Sequence, residues 1–174
     1  YHIMEPEVGW LACGVTGPGR LPSPESIVQW LTEQLSSLEN KHLLDGKTVV
    51  VTAGGTQEYI DPVRYIGNRS SGKMGYAIAA EAARQGARVI LVSAPTSLSV
   101  PANVELVAVD SAQSMKEAVD RLYDSVDIVI MDAAVSDFRV ANKAEQKIQK
   151  MGSMTFELVK NPDILQSLGE RKTH

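Results

Sequence analysis

Hydrophobic and polar positions change their period several times along this chain, and each change marks an element. The first 22 residues are rich in glycine and proline and have no clear period. Over 24–40, Ile27, Leu31, Leu35 and Leu38 recur at helical spacing, Ser23 is available to cap and Pro24 suits a first turn, so a helix is predicted. Lys41 to Lys47 is a polar connector and marks a domain boundary. Thr48 to Thr52 is a β-branched run of the kind found in strands buried on both faces. A long polar insert, Ala53 to Ser71, follows. Residues 72–85 predict a helix with Met74, Ile78 and Ala82 on one face, stopped by Gly86; its many alanines let it lie close to a sheet. Strands are predicted at Arg88–Ser93, Val104–Val109 and Asp127–Met131, and a helix at Ser111–Tyr123 with Met115, Val119 and Leu122 facing inward. A loop runs through Arg139, Thr155–Val159 reads as another strand, and Asn161 caps a last helix started by Pro162.

Strands alternating with helices predict an α/β fold: a doubly wound, mostly parallel, Rossmann-like sheet with helices on both faces. Ligands of such sheets bind beyond the carboxyl ends of the strands. Three informative segments fall there: 53–73, 93–98 and 132–147.

Composition narrows the partners. A chain of 174 residues holds one ordinary α/β domain plus a tail. The net charge of −4 argues against a nucleic-acid surface, so local basic groups must do any phosphate binding. Cys13 is the one cysteine, which excludes an internal disulfide and fits a reducing cytoplasm. No apolar run approaches the ~18 residues needed to span a bilayer, and the first residues lack the pattern of a signal peptide. His2, His42 and His174 are scattered without metal-ligand spacing, so no metal site built from protein ligands is predicted.

The chemistry concentrates in Gly67-Asn68-Arg69-Ser70-Ser71-Gly72-Lys73-Met74-Gly75. Glycines let backbone N–H groups turn toward an anion, the start of a helix carries partial positive charge, and Lys73 adds a full one. A cation at the positive end of a helix is unfavourable by itself, so an anionic ligand is the better account of Lys73. The spacing is that of a P-loop, but Met74 stands where Ser or Thr would hold magnesium, and the lysine lies far downstream of the first strand. A nicotinamide-dependent Rossmann oxidoreductase is the other rival. Thr52-Ala53-Gly54-Gly55-Thr56 does not complete G-x-G-x-x-G, and the second strand ends in Ser93-Ala94-Pro95 with no acid for a ribose hydroxyl.

Taken together, Thr52–Glu58, Ile60–Ile66, Asn68–Gly75, Ala133–Phe138, Lys147–Lys150 and Leu158–Ile164 resemble the phosphopantothenoylcysteine synthetase family, the ligase half of a bacterial bifunctional flavoprotein of coenzyme A biosynthesis. The resemblance covers residues 45 to about 168. The upstream Leu11–Arg20 is similar to the substrate clamp that ends the partner decarboxylase domain, with Cys13 at its reactive cysteine. The resemblance implies three parts: 1–22, the tail of the flavin-dependent decarboxylase; 23–44, a linker helix; and 45–174, the synthetase domain. The family continues beyond the Asn161–Ile164 motif into further nucleotide-pocket residues, so the chain is expected to be an internal fragment, truncated at its C-terminus and impaired on its own.

By resemblance, the reaction joins 4′-phosphopantothenate to cysteine using CTP, through an acyl-cytidylate. Asn68 and Lys147 would be catalytic: Asn68 contacts the activated intermediate, and Lys147 neutralises the α-phosphate. Cys13 would work only in the decarboxylase half, where FMN is bound. Gly54, Gly55, Thr56, Ser70, Ser71, Gly72, Lys73, Ala133, Ala134, Asp137 and Lys150 would bind substrate or nucleotide. Asp132 either closes its strand or aids Mg²⁺, which the triphosphate requires. Glu58, Asp61, Arg64, Lys160 and Asn161 belong to the resemblance with structural roles open to them, among them an Asp61–Arg64 pair and a cap at Asn161. The family is a cytoplasmic homodimer through the synthetase domain, with no nucleic-acid or membrane partner. A fragment that only dimerises is the alternative.

Overall fold

The computed structural model describes residues 3–10, 13–39, 42–150 and 152–172. Leu11 and Ala12 of the clamp, Lys41 of the connector, residue 40 of the expected helix, His2 and His174 lie outside the described residues, as does the side chain of Leu38. In chain order the elements are β1 (Glu7–Trp10), β2 (Thr16–Arg20), α1 (Pro24–Glu39), β3 (Thr48–Ala53), β4 (Gln57–Asp61), β5 (Arg64–Gly67), α2 (Lys73–Arg84), β6 (Arg88–Ser93), β7 (Val104–Ala108), α3 (Ala112–Tyr123), β8 (Ile128–Met131), β9 (Phe138–Val140), β10 (Leu158–Lys160) and α4 (Ile164–Arg171). They fall into two compact units, residues 1–41 and 42–174.

In the first unit β1 pairs antiparallel with β2. These strands were invisible as a pattern because Gly9, Gly17, Pro18 and Gly19 leave too few side chains to alternate. The expected cap of α1 is present: Ser23 Oγ accepts from the Ser26 N–H at 3.1 Å, and the Ser23 carbonyl accepts from Ile27 at 2.9 Å.

The second unit is built on a parallel four-stranded sheet of order β7-β6-β3-β8. Side chains alternate across a strand, so β3 serves two cores at once. Val49, Val51 and Ala53 pack with Tyr76, Ala79 and Ala82 of α2. Val50, with Ile90 and Val92, packs against Met115, Ala118 and Val119 of α3 and against Ile164 and Leu168 of α4. The sheet is therefore doubly wound, as expected. Gly86 ends α2 in a Schellman arrangement: φ is +91°, its N–H reaches Ala83 O, and the N–H of Ala87 reaches Ala82 O, both at 3.1 Å.

Four expectations change. The inward face of α2 is Gly75, Tyr76, Ala79 and Ala82, while Met74 is 66% exposed; the buried stripe sits about one residue later than the apolar spacing implied. The polar insert contains the antiparallel hairpin β4–β5. The segment after β8 includes β9, which pairs antiparallel with β10, and β10 begins at Leu158 rather than Thr155. Finally, α4 is capped by Asp163, whose side chain accepts from the Gln166 N–H at 2.9 Å. Asn161 is occupied elsewhere: its backbone N–H donates to Asp137 O and its Nδ2 to Ser136 O, both at 2.8 Å.

Candidate active site

At the carboxyl end of the sheet β3 and β8 keep pairing beyond their last strand residues. Gly55 bridges Ala134 in parallel, Ala134 N–H donates to Gly54 O at 2.8 Å, and Thr56 N–H donates to Ala134 O at 3.2 Å. Two buried threonines fix the β8 side. Thr52 Oγ1 accepts from the N–H groups of Asp132 and Ala133, each at 3.1 Å, and Thr56 Oγ1 accepts from Ser136 N–H at 2.9 Å. Gly54 is required twice over: φ is +81°, and a Cβ there would lie 2.7 Å from Ala94 O.

The expected phosphate cradle folds onto this edge. A Cβ on Gly55 would stand 2.6 Å from Asn68 O, and Asn68 Nδ2 donates to Val135 O at 3.2 Å. Ser70 Oγ accepts from Gly72 N–H at 3.2 Å and Ser71 Oγ from Lys73 N–H at 3.5 Å. Gly72 is the N-cap of α2 in the left-handed region, with no side chain to cap the helix. The first i→i−4 bond of the helix is Tyr76 N–H to Gly72 O at 3.1 Å, so the amides of its first turn have no acceptor within the helix. Lys73 is exposed beside them. Helix dipole, first-turn amides and lysine charge thus coincide at one place.

Next to the cradle, Ser136, Asp137, Lys160, Asn161 and Asp163 line a cleft of about 230 Å³. Asp137 and Lys160 are exposed there, whereas Ser136 is buried and its hydroxyl has no hydrogen-bond partner among the described residues.

The structure brings Gly54, Gly55, Thr56, Asn68, Ser70, Gly72, Ala133 and Ala134 into direct contact with one another's segments. It does not bring Lys147 there. Ala144 N–H donates to Ile60 O at 2.9 Å and Ile148 N–H to Asp61 Oδ2 at 3.2 Å, so the exposed Lys147 sits beside the tip of the β4–β5 hairpin. Asn68 follows the other end of β5, about 13 Å along the strand from Arg64 at the rise of an extended strand. Lys150 is likewise exposed, two residues beyond Ile148. Cys13, an exposed free thiol, belongs to the first unit.

At the tip, the Arg64 guanidinium lies 2.5 Å from the fully buried Asp61 carboxylate. This contact, helped by the N–H groups of Val63, Ile148 and Arg64 and opposed by burial, holds the carboxyl well below the usual carboxylate range. Two further roles had no clear sequence signal. Glu58, buried, accepts from Ala112 N–H at 2.9 Å and so caps α3 from 54 residues away. Thr52 organises Asp132 and Ala133 although its spacing reads only as strand.

An open α/β sheet with a glycine-turned helix N-terminus beyond its strand ends has the geometry at which such folds accept anionic ligands. The chain belongs to the family of the DNA/pantothenate metabolism flavoprotein C-terminal domain, matched over residues 44–174. It is 51% identical over 174 residues to the coenzyme A biosynthesis bifunctional protein CoaBC of Bacillus subtilis (strain 168), covering 99% of this chain and 43% of that protein. It is 46% identical to the CoaBC of Haemophilus influenzae, again covering 99% and 43%. The chain therefore spans less than half the length of these curated relatives. A crystal structure of the C-terminal domain of CoaBC aligns with a TM-score of 0.66 at 50% identity, covering 75% of this chain and 62% of that one.

Proposed function

We propose that this chain carries the phosphopantothenate–cysteine ligase chemistry of coenzyme A biosynthesis, with CTP as the activating nucleotide. The observation that carries the reading is the joining of Gly54–Thr56, Asn68–Lys73 and Ala133–Ala134 into one edge at the start of α2. The coenzyme A role named for its relatives supports it.

In this reading the carboxylate of 4′-phosphopantothenate attacks the α-phosphate of CTP, forming an acyl-cytidylate and releasing pyrophosphate. The cysteine amine then attacks the acyl carbon and displaces CMP. The protein's work is positioning and charge stabilisation. The α2 amides and Lys73 hold a phosphate, Asn68 contacts the acyl-cytidylate without adding charge, and Asp137 faces the nucleotide from the adjoining cleft. Lys147 neutralises the reacting α-phosphate and Lys150 assists it. Among the described residues no group of three or more His, Cys, Asp or Glu could cage a metal. The Mg²⁺ of a triphosphate needs only one or two carboxylates, and Asp132 and Asp137 are available at this edge. Bound Mg²⁺ would offset triphosphate charge.

A homodimer through the synthetase domain is part of the proposal, motivated by β5, where Tyr65 and Ile66 are exposed. FMN and Cys13 chemistry belong to a decarboxylase half. A cytoplasmic setting matches these substrates, and no helix among the described residues is long and apolar enough to cross a membrane.

The test omits cysteine. The protein is incubated with CTP, Mg²⁺ and 4′-phosphopantothenate, and the acyl-cytidylate is sought by mass spectrometry. Asn68→Ala and Lys147→Ala are each expected to lower its formation by about 10²–10³-fold. Undiminished acyl-cytidylate formation in both variants would overturn the assignment, and an equal yield of acyl-adenylate from ATP would remove the choice of CTP.

A further inference from the structure

A single buried carboxylate joins two segments 87 residues apart in sequence. Asp61 Oδ1 accepts from the N–H groups of Val63 and Arg64, both at 2.9 Å, which shapes the tip of the β4–β5 hairpin as an Asx-type turn. Its other oxygen, Oδ2, accepts from Arg64 Nε at 2.9 Å, from Arg64 Nη2 at 2.5 Å and from Ile148 N–H at 3.2 Å. Arg64 Nη2 in turn donates to Ile148 O at 2.8 Å. Both polar groups of residue 148 are thus gripped by the same ion pair. Four residues earlier, Ala144 N–H is bonded to Ile60 O. Between these anchors residues 145–147 are exposed, so Lys147 stands at the end of a short arch, one residue before its fixed foot.

We propose that Asp61 is a positioning residue for Lys147: with Arg64 it clamps the Ile148 peptide and thereby fixes where the Lys147 ammonium can reach. The inference rests on the role given to Lys147 above. The side chain of Asp61 has no exposed surface and lies at the foot of the arch, so it acts on the ligand only through the segment it holds. Its charge matters because its two oxygens have separate tasks. An asparagine could keep the turn by accepting at Oδ1, but its NH₂ would face the Arg64 guanidinium and the Ile148 N–H, donor against donor. Asp61→Asn therefore cuts the clamp and spares the turn. The ionised state the clamp needs is secured by Arg64, which keeps the carboxyl deprotonated well into the acid range.

The experiment compares wild type, Asp61→Asn, Lys147→Ala and the double variant. Amide hydrogen exchange at Ile148 is expected to be slow in wild type and at least about tenfold faster in Asp61→Asn. Acyl-cytidylate formation in a single turnover should fall about 10–100-fold in Asp61→Asn. The double variant should be no slower than Lys147→Ala, because one residue works through the other. Where Asp61→Asn does not fold, Arg64→Lys keeps a positive charge beside Asp61 but loses the forked grip on Oδ2 and on Ile148 O, and carries the same expected direction of rate loss. Unchanged exchange at Ile148, an unimpaired rate in a folded Asp61→Asn, or losses that multiply in the double variant would overturn the inference. An inactive Lys147→Ala beside a fully active Asp61→Asn sinks this inference alone. A fully active Lys147→Ala sinks the role of Lys147 first, and the inference with it.

Discussion

Strands β3 and β5 belong to the same unit and have opposite surroundings. In β3 every residue from Val49 to Ala53 is buried, while in β5 all four residues are exposed. The central strand is held by side chains: its faces feed two hydrophobic clusters and its hydrogen bonds run to β6 and β8. The hairpin strand is held by polar contacts to its partner β4, and at its tip by the Asp61–Arg64 pair. One region resists deformation through dense apolar packing. The other presents groups to whatever docks on it and relies on a few directed bonds for its shape.

The largest expected effect follows from the first kind of support. Leu91 has no exposed surface and lies in the cluster between the sheet and α2. Leu91→Ala should cost about 2–5 kcal/mol through lost contacts and a residual cavity. The melting temperature should fall by about 2–4 °C for each kcal/mol, read by calorimetry. A loss under 1 kcal/mol would show that this face of the sheet is not the packed core.

A smaller effect is expected on the exposed strand. Tyr65 is 52% exposed and its ring meets Tyr59 edge-on at 6.1 Å. Tyr65→Ser should leave the unfolding free energy of the monomer within about 0.5 kcal/mol. If β5 is the self-association surface, the same variant should weaken the dimer in sedimentation at graded concentrations. A large loss of monomer stability would erase the contrast drawn between the two strands.

The same contrast explains what could be read from sequence. Thr48–Ala53, Arg88–Ser93 and the α3 stripe of Met115 and Val119 are legible because burial forces a periodic choice of side chain. Arg64-Tyr65-Ile66-Gly67 is under no such constraint, so the hairpin reads only as part of a long polar insert. At the candidate site, the close approach of the two glycine segments was legible because Gly54 and Gly72 are demanded by positive φ angles and near backbone neighbours, which leave a mark in the sequence. The separation of Lys147 from Asn68 was not, because it is set by the length of a hairpin that the sequence does not announce. Asn161 and Asp163 are both residue types that cap helices, and the bonds from Asn161 to Ser136 O and from Gln166 N–H to Asp163 decide between them.

Charge inverts the comparison, and the inversion sets the smallest expected effect. The buried carboxylate, Asp61, belongs to the exposed hairpin, whereas α2, which packs the core, carries Glu81 on its solvent side. Arg84, then Gln85, donate to Glu81 and lower its pKa to about 2. A folded-state pKa below the unfolded one gives stability that is present above the unfolded value, about 4.3, and is lost as the pH falls toward 2. Glu81→Gln should therefore be slightly less stable than wild type at pH 7 in low salt. Urea melts of the two should converge as the pH approaches 2, and 1 M salt should shrink the difference at neutral pH, because both partners are more than half exposed and the pair is screened. Asp61→Asn should show the same sign over a window reaching further into acid, with less response to salt, since its carboxylate is out of reach of counterions. A Glu81 effect that grew on acidification, or an Asp61 effect abolished by salt, would mean that the charges of the two regions had been assigned the wrong way round.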